Sequence, residues 1–331
     1  MHCELIVPGL FAASAPTRLP ALELLLARGR CASARSQRLE DWLHEACDLP
    51  DAPLAAGALS VLGTGGEPGD ALWARADPVH LQLMRERLIL VPGTALGVTR
   101  EEAGALAETL QRHLGLEFRA ITPTAWAVRL DGDFELDAPS PLELAGRDVE
   151  LGRAAGSGAA AAHRVLNEAQ MALHEHPVNA AREARGQPAL NSIWLWGFGR
   201  APRNAAGRWR SVTTDDPVAL GLARLSGKKA HGPARGAQDW LARMPEDGRH
   251  LIVLDGLRVP LALGEKAEYE TRVGELERDW FAPLLAALRV GRIGMVTIHV
   301  PDGPECSAYE TIRADLRRFW RRPKALQRYS A

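Results

Sequence analysis

The sequence predicts an α/β protein built on a doubly wound, mostly parallel sheet. Two observations carry this. Short apolar segments bounded by turn residues alternate along the chain with longer segments whose apolar residues recur at helical spacing. The 331 residues are 46% hydrophobic and 24% charged, enough apolar material to cover such a sheet on both faces.

Taken in order, Glu4 to Val7 reads as a buried strand closed by Pro8-Gly9. Leu19 to Arg28 has helical spacing with Gly29 placed as a C-cap, and Gln37 to Ala46 reads as a second helix. Gly63 to Gly69 is a loop. Arg87 to Val91 is a strand, and Thr99 to Leu114 a helix opened by a Thr99/Glu102 capping box. Trp126 to Leu130 followed by Asp131-Gly132-Asp133 suggests a β-hairpin. The small residues Ala154 to Ala162 lead into a helix over His163 to His174. They lack the lysine and hydroxyl of a phosphate loop. Ile193 to Trp196 and Leu251 to Leu254 are strands with a helix, Pro217 to Leu225, between them. An amphipathic segment, Glu268 to Leu288, precedes the last strand, Gly294 to Val300.

A formal net charge of −1 gives the chain no general attraction to nucleic acid or acidic membranes, and no apolar run reaches the length of a membrane span. The exception is the basic stretch holding Arg317, Arg318, Arg321, Arg322, Lys324 and Arg328. It reads either as a solvated helix end or as a surface for a protein partner. Four scattered cysteines and a start without a basic leader fit reduced thiols and a cytoplasmic location.

Three segments together resemble the archaeal-type cofactor-independent phosphoglycerate mutases of the alkaline phosphatase superfamily. They are RLPALELLLARGRCA from Arg18, WARADPVHLQLMRERLILV from Trp73, and HEHPVNAAREARGQPALNSIWLWGFG from His174. More narrowly, ARADPVHL, NSIWLWGFG and FWRRPKAL are similar to a bacterial family of regulatory proteins of RpfE type. The resemblance implies an alkaline-phosphatase-like core made of 1–70 plus 190–331, a smaller inserted α+β domain over 71–189, and a ligand cleft between them. It also implies two-metal phosphoryl transfer, in which divalent cations neutralise phosphate and activate a Ser or Thr nucleophile.

The residues that such chemistry needs are eroded. The first-strand metal carboxylate falls at Pro8-Gly9, and proline cannot coordinate a metal. Ser60 and Thr64 are the hydroxyls near the nucleophile position, without its flanking pattern. Asp255 has no histidine following it at the spacing of the distal metal cluster, and His299 with Asp302 are spaced and ordered unlike the final ligand pair. No resident metal is expected. Manganese, magnesium or zinc enters only if a rearranged set still works as a phosphomutase or phosphatase.

A second constellation reads as retained: Arg75, Asp77, His80, His176, Asn179, Arg182, Asn191 and Arg200, which the resemblance places near the cleft. Arginine forks suit bidentate contact with phosphate or carboxylate, so the set is expected to bind a small phosphorylated or carboxylated ligand. Taken singly, each has a plain structural reading as a cap, loop tie or ion pair. Asp255 and Arg258, after a strand, read either as an ion pair or as further ligand contacts. The expectation is a largely non-catalytic regulatory relative of the mutases. An active enzyme and a protein-interaction scaffold are the alternatives.

Overall fold

A computed structural model describes residues 1–331 apart from 13–17, 34–36, 51, 133–135, 153, 245–246, 303–306 and 330–331. The strands, in chain order, are β1 (His2–Ile6), β2 (Arg30–Ser33), β3 (Leu72–Met84), β4 (Arg87–Pro92), β5 (Phe118–Ala120), β6 (Trp126–Leu130), β7 (Ser192–Gly199), β8 (Ser211–Thr213), β9 (Lys229–His231), β10 (Arg249–Val253), β11 (Met295–His299) and β12 (Ala308–Ile312). The chain divides into two units, Met1–Asp48 with Ala205–Ala331, and Leu49–Asn204. The division is discontinuous, but its limits differ from the expected 70/71 and 189/190. Residues 49–70 and 190–204 fall in the second unit because helix Ala56–Gly63 and strand β7 both pack on β3.

In the first unit, β11, β1, β10, β8 and β9 run parallel in that order. Two antiparallel strands extend the sheet beyond β11: β12 pairs with β11, and β2 with β12. Successive side chains of a strand face opposite ways. Cys3, Leu5 and Val7 therefore join Ile252, Val296 and Ile298 in a core capped by helices Pro20–Arg28, Ala237–Arg243 and Ala282–Val290. The segment read as one amphipathic helix is two, Lys266–Leu276 and Ala282–Val290, joined by a π turn over Glu277–Phe281. Glu4, Thr297 and His299 are in register on the opposite face or one strand position along it, beside Trp42 of helix Leu39–Ala46.

In the second unit the 13-residue β3 organises everything. It pairs with β6 through its first residues, with β4 through its last, and with β7 along its middle. The expected hairpin after β6 is not the observed pairing, which joins β6 to the preceding β5; Asp133 of the expected turn lies outside the described residues. Gly197, at φ +58°, explains the glycines of WLWGFG. A Cβ there would stand 2.5 Å from Ala56 Cβ, so the glycine lets helix Ala56–Gly63 lie against β7.

Among the described residues no helix is long and apolar enough to cross a membrane. Cys3 and Cys47 are buried free thiols, whereas Cys31 is disulfide-bonded, a departure from the expectation of reduced thiols throughout.

Candidate functional site

The arginine-rich constellation is a set of internal ties within the second unit. Arg75 and Asp77 form a buried ion pair, with Nε and Nη2 each 2.9 Å from a carboxylate oxygen. The Asp77 oxygens also accept the Trp196 indole N–H at 2.8 Å and the Trp126 amide at 3.1 Å. Burial pushes the Asp77 carboxyl up, against the pull of Arg75 and these donors. Arg75 Nη1 donates to Ser60 Oγ at 3.3 Å. Ser60 is thus a buried helix residue occupied by a structural guanidinium. Thr64, at the end of the same helix, donates its hydroxyl to the Val61 carbonyl.

Arg182 is fully buried and donates to the Pro188 carbonyl, the Glu102 carboxylate and the Leu96 carbonyl. Asn179 ties the carbonyls of Leu173 and Leu190 and the Leu190 amide, and Asn191 clamps both backbone groups of Leu81. His176 caps its helix by accepting from the Val178 amide, and its other ring nitrogen meets Thr109. Nδ1 of His80 meets the Ala189 carbonyl, and Arg200 reaches the Asp70 carbonyl at the surface. Arg75, Asp77, Asn179 and Arg182 are therefore spent on the unit's own backbone and charges, which leaves solvent little access to them.

The first unit presents the other candidates. Its five parallel strands end on one edge, where folds of this kind take ligands. After β1 comes the Pro8-Gly9 loop. The Gly9 amide donates to both Asp302 oxygens at 3.0 Å, and the Tyr269 hydroxyl donates to the Gly9 carbonyl at 2.8 Å. Gly9 sits at φ +78° with Leu261 3.1 Å from where a Cβ would stand. The loop is therefore pinned by backbone contacts and projects no donor side chain.

After β8 and β10 stand Asp215, Asp216 and Asp255. Asp216 caps helix Pro217–Leu225 through the Ala219 amide at 2.7 Å. Burial, then the charges of Asp216 and Asp215, push the Asp255 carboxyl up to about 7 despite Arg258. Arg258 turns instead to Glu40 at 2.7 Å, so the ion-pair reading of Asp255 and Arg258, one of the two left open by the sequence, gives way to Arg258–Glu40. A cavity of about 260 Å³ opens beside these groups. Its lining includes Thr213, Asp215, Asp255, Arg235, Leu257 and Trp280.

His299 does not join Asp302. Its Nε2 points to Glu4 Oε2, 3.3 Å away, on the sheet face. Among the described residues no three His, Cys, Asp or Glu side chains are grouped to hold a metal ion. Of the carboxylates at the strand ends, Asp302 accepts from the Gly9 amide and Asp216 caps a helix, and among the described residues no converging donor set fits the paired cations that the resemblance implies.

Sequence reasoning missed Glu4. Trp209 Nε1 donates to it at 3.0 Å, and Arg249, Arg208 and His299 surround it, in a 370 Å³ pocket. Burial opposes its charge. Hydrogen bonds from His299 and Trp209 and the charge of Arg208 outweigh that and bring the carboxyl down to about 2. The signal was a lone charge inside the otherwise apolar Cys3-Glu4-Leu5-Ile6.

No protein-family model matches the chain. It is 29% identical over 166 residues to a probable 2,3-bisphosphoglycerate-independent phosphoglycerate mutase of Geobacter sulfurreducens, covering 49% of this chain and 40% of that protein. It is 24% identical over 201 residues to a 2,3-bisphosphoglycerate-independent phosphoglycerate mutase of Methanosarcina mazei, covering 57% and 50%. The chain thus spans half or less of the length of these curated relatives. Its fold matches that of the PH0037 protein from Pyrococcus horikoshii, with a TM-score of 0.57 at 13% identity over 93% of this chain and 86% of that one. The protein is phosphoglycerate-mutase-like in sequence, on an α/β fold shared with that structure.

Proposed function

We propose that this protein is a non-catalytic, phosphoglycerate-mutase-like regulatory protein of the cytoplasm. In this reading it has left two-metal phosphoryl transfer and binds a small ligand at the strand ends of its first unit. The observation that carries this is the Pro8-Gly9 loop, which stands where the resemblance expects the first metal carboxylate and whose amide takes up Asp302. Two hard cations require several converging oxygen or imidazole donors, and a nucleophilic hydroxyl must lie free beside them. Ser60 instead accepts from Arg75, and Thr64 donates to its own helix.

Purified protein assayed for bound metal and for phosphoglycerate isomerisation tests this. The expected result is no stoichiometric manganese, magnesium or zinc and no turnover with any of them added. Stoichiometric metal together with turnover overturns the reading in favour of a working phosphomutase with rearranged ligands.

A second reading, docking of a protein partner, is favoured by one observation. Phe319 and Trp320 are 78% and 66% exposed within the basic stretch, ring to ring at 5.2 Å, where aromatic and arginine side chains make interface anchors. Replacing both by serine is expected to remove a co-purifying partner without lowering the melting temperature. An unchanged partner profile rejects it.

A further inference from the structure

The cavity at the ends of β8 and β10 holds a combination that the fold does not consume. Thr213 is 3% exposed, and its Oγ1 is buried without a hydrogen-bond partner. It is in register with Ile252, and both residues line the cavity. An orphaned buried hydroxyl costs about 1–3 kcal/mol unless something meets it. Beside it, Asp215 and Asp255 form no salt bridge among the described residues, unlike the other carboxylates of the wall. Glu275 pairs with Arg272 at 3.6 Å, and Asp279 with Arg278 at 2.7 Å. Leu257, Leu276 and Trp280 supply apolar wall.

We propose that this cavity is a binding site for a small organic ammonium ion, its charged head between Asp215 and Asp255 and its apolar body against Leu257, Leu276 and Trp280. This deepens the ligand-binding reading above and rests on it for the site, while replacing the anionic ligand expected from sequence. Two arginines line the cavity, Arg235 and Arg272, against four carboxylates, Asp215, Asp255, Glu275 and Asp279. Arg272 is held by Glu268 at 2.8 Å and by Glu275, while Arg235 is exposed and Asp239 beside it pairs with Arg243. Arg258, nearest to Asp255 in sequence, is neutralised by Glu40. Burial first, and then repulsion from Asp216 and Asp215, raise the Asp255 carboxyl, and that second contribution has the sign that attracts a cation. A volume of about 260 Å³ has room for a small organic ion.

The test uses three molecules of one shape: n-butylammonium, n-butanol and n-butyrate, added to the full chain, with melting temperature and calorimetry as readouts. Only n-butylammonium is expected to raise the melting temperature. Asp255→Asn and Asp215→Asn are each expected to weaken its binding by about tenfold. Thr213→Val removes the orphaned hydroxyl, so the ligand-free protein should melt higher while the gain on adding the ammonium shrinks. No shift with n-butylammonium, or equal shifts with all three, overturns the proposal, as does unchanged binding to both Asp→Asn variants. Ammonium binding found together with phosphoglycerate turnover would leave this site standing and remove the non-catalytic reading. Absence of both does the reverse.

Discussion

Asp302 holds the amide of Gly9 with both carboxylate oxygens, each at 3.0 Å, and so joins the loop after β11 to the loop after β1. Hydrogen bonds to a charged acceptor contribute about 1.5–3 kcal/mol, less where solvent reaches the carboxylate as it does here. Asp302→Ala is therefore expected to lower stability by about 1 kcal/mol in urea titration and to speed exchange of the Gly9 amide. Unchanged exchange at that amide would show that the contact is not maintained in solution.

Asp255 predicts a pH dependence. Its folded carboxyl lies near 7, above the ordinary 3.8, so between those values the folded protein binds more protons than the unfolded chain. Its contribution to stability is full below about pH 4 and is lost as pH rises through 7. Asp255→Asn should match the parent at pH 4 and exceed it by up to about 4 kcal/mol at pH 8. Equal stability of the two proteins at pH 8 would count against the burial of Asp255 and its crowding by Asp216 and Asp215.

Glu4 predicts the opposite slope. Its carboxyl is held near 2, below the ordinary 4.5, so its contribution is present above about pH 4.5 and lost as pH falls toward 2. Its arginine partners are partly exposed, which screens the effect. Glu4→Gln should cost about 2 kcal/mol at pH 7 and nearly nothing at pH 2, read by denaturant unfolding across that range.

Arg182→Ala should destabilise the second unit by about 3–5 kcal/mol, because it leaves Glu102 with only the exposed Arg185 for a counter-charge beside the Thr99 amide, and removes a donor from two carbonyls. Binding at the first unit should be unaffected. If calorimetry shows instead a loss of n-butylammonium binding at unchanged stability, Arg182 is a ligand residue after all.

What was legible in the sequence had local causes. The helix Arg100–Leu114 is set by Thr99 and Glu102 three residues apart, which bond to each other's backbone, and helix Pro217–Leu225 by its own Asp216 cap and proline start. Strands β8 and β9 have three residues each and exist only through pairing with β10 and with one another, so no local period announces them. The same limit misled the site reading. Arg182 looks like a free anion ligand until Glu102, eighty positions away, is seen to neutralise it. The carboxylates that make the cavity acidic, Asp215 and Asp255, stand on loops brought together only by the parallel sheet.

The π turn over Glu277–Phe281 carries one residue more than regular winding needs. Deleting a single residue there would restore the ordinary pitch but swing one arm of the rod by roughly 100° about its axis. Glu277 would then lose the amides of Ala21 and Leu22, now 2.7 and 3.1 Å from its carboxylate. Tyr269 would turn away from the first loop, or else Phe281 and Leu284 from the core. The extra residue works as a phase corrector, keeping two faces of one long rod aimed at two different neighbours, and a shorter variant could satisfy only one of them.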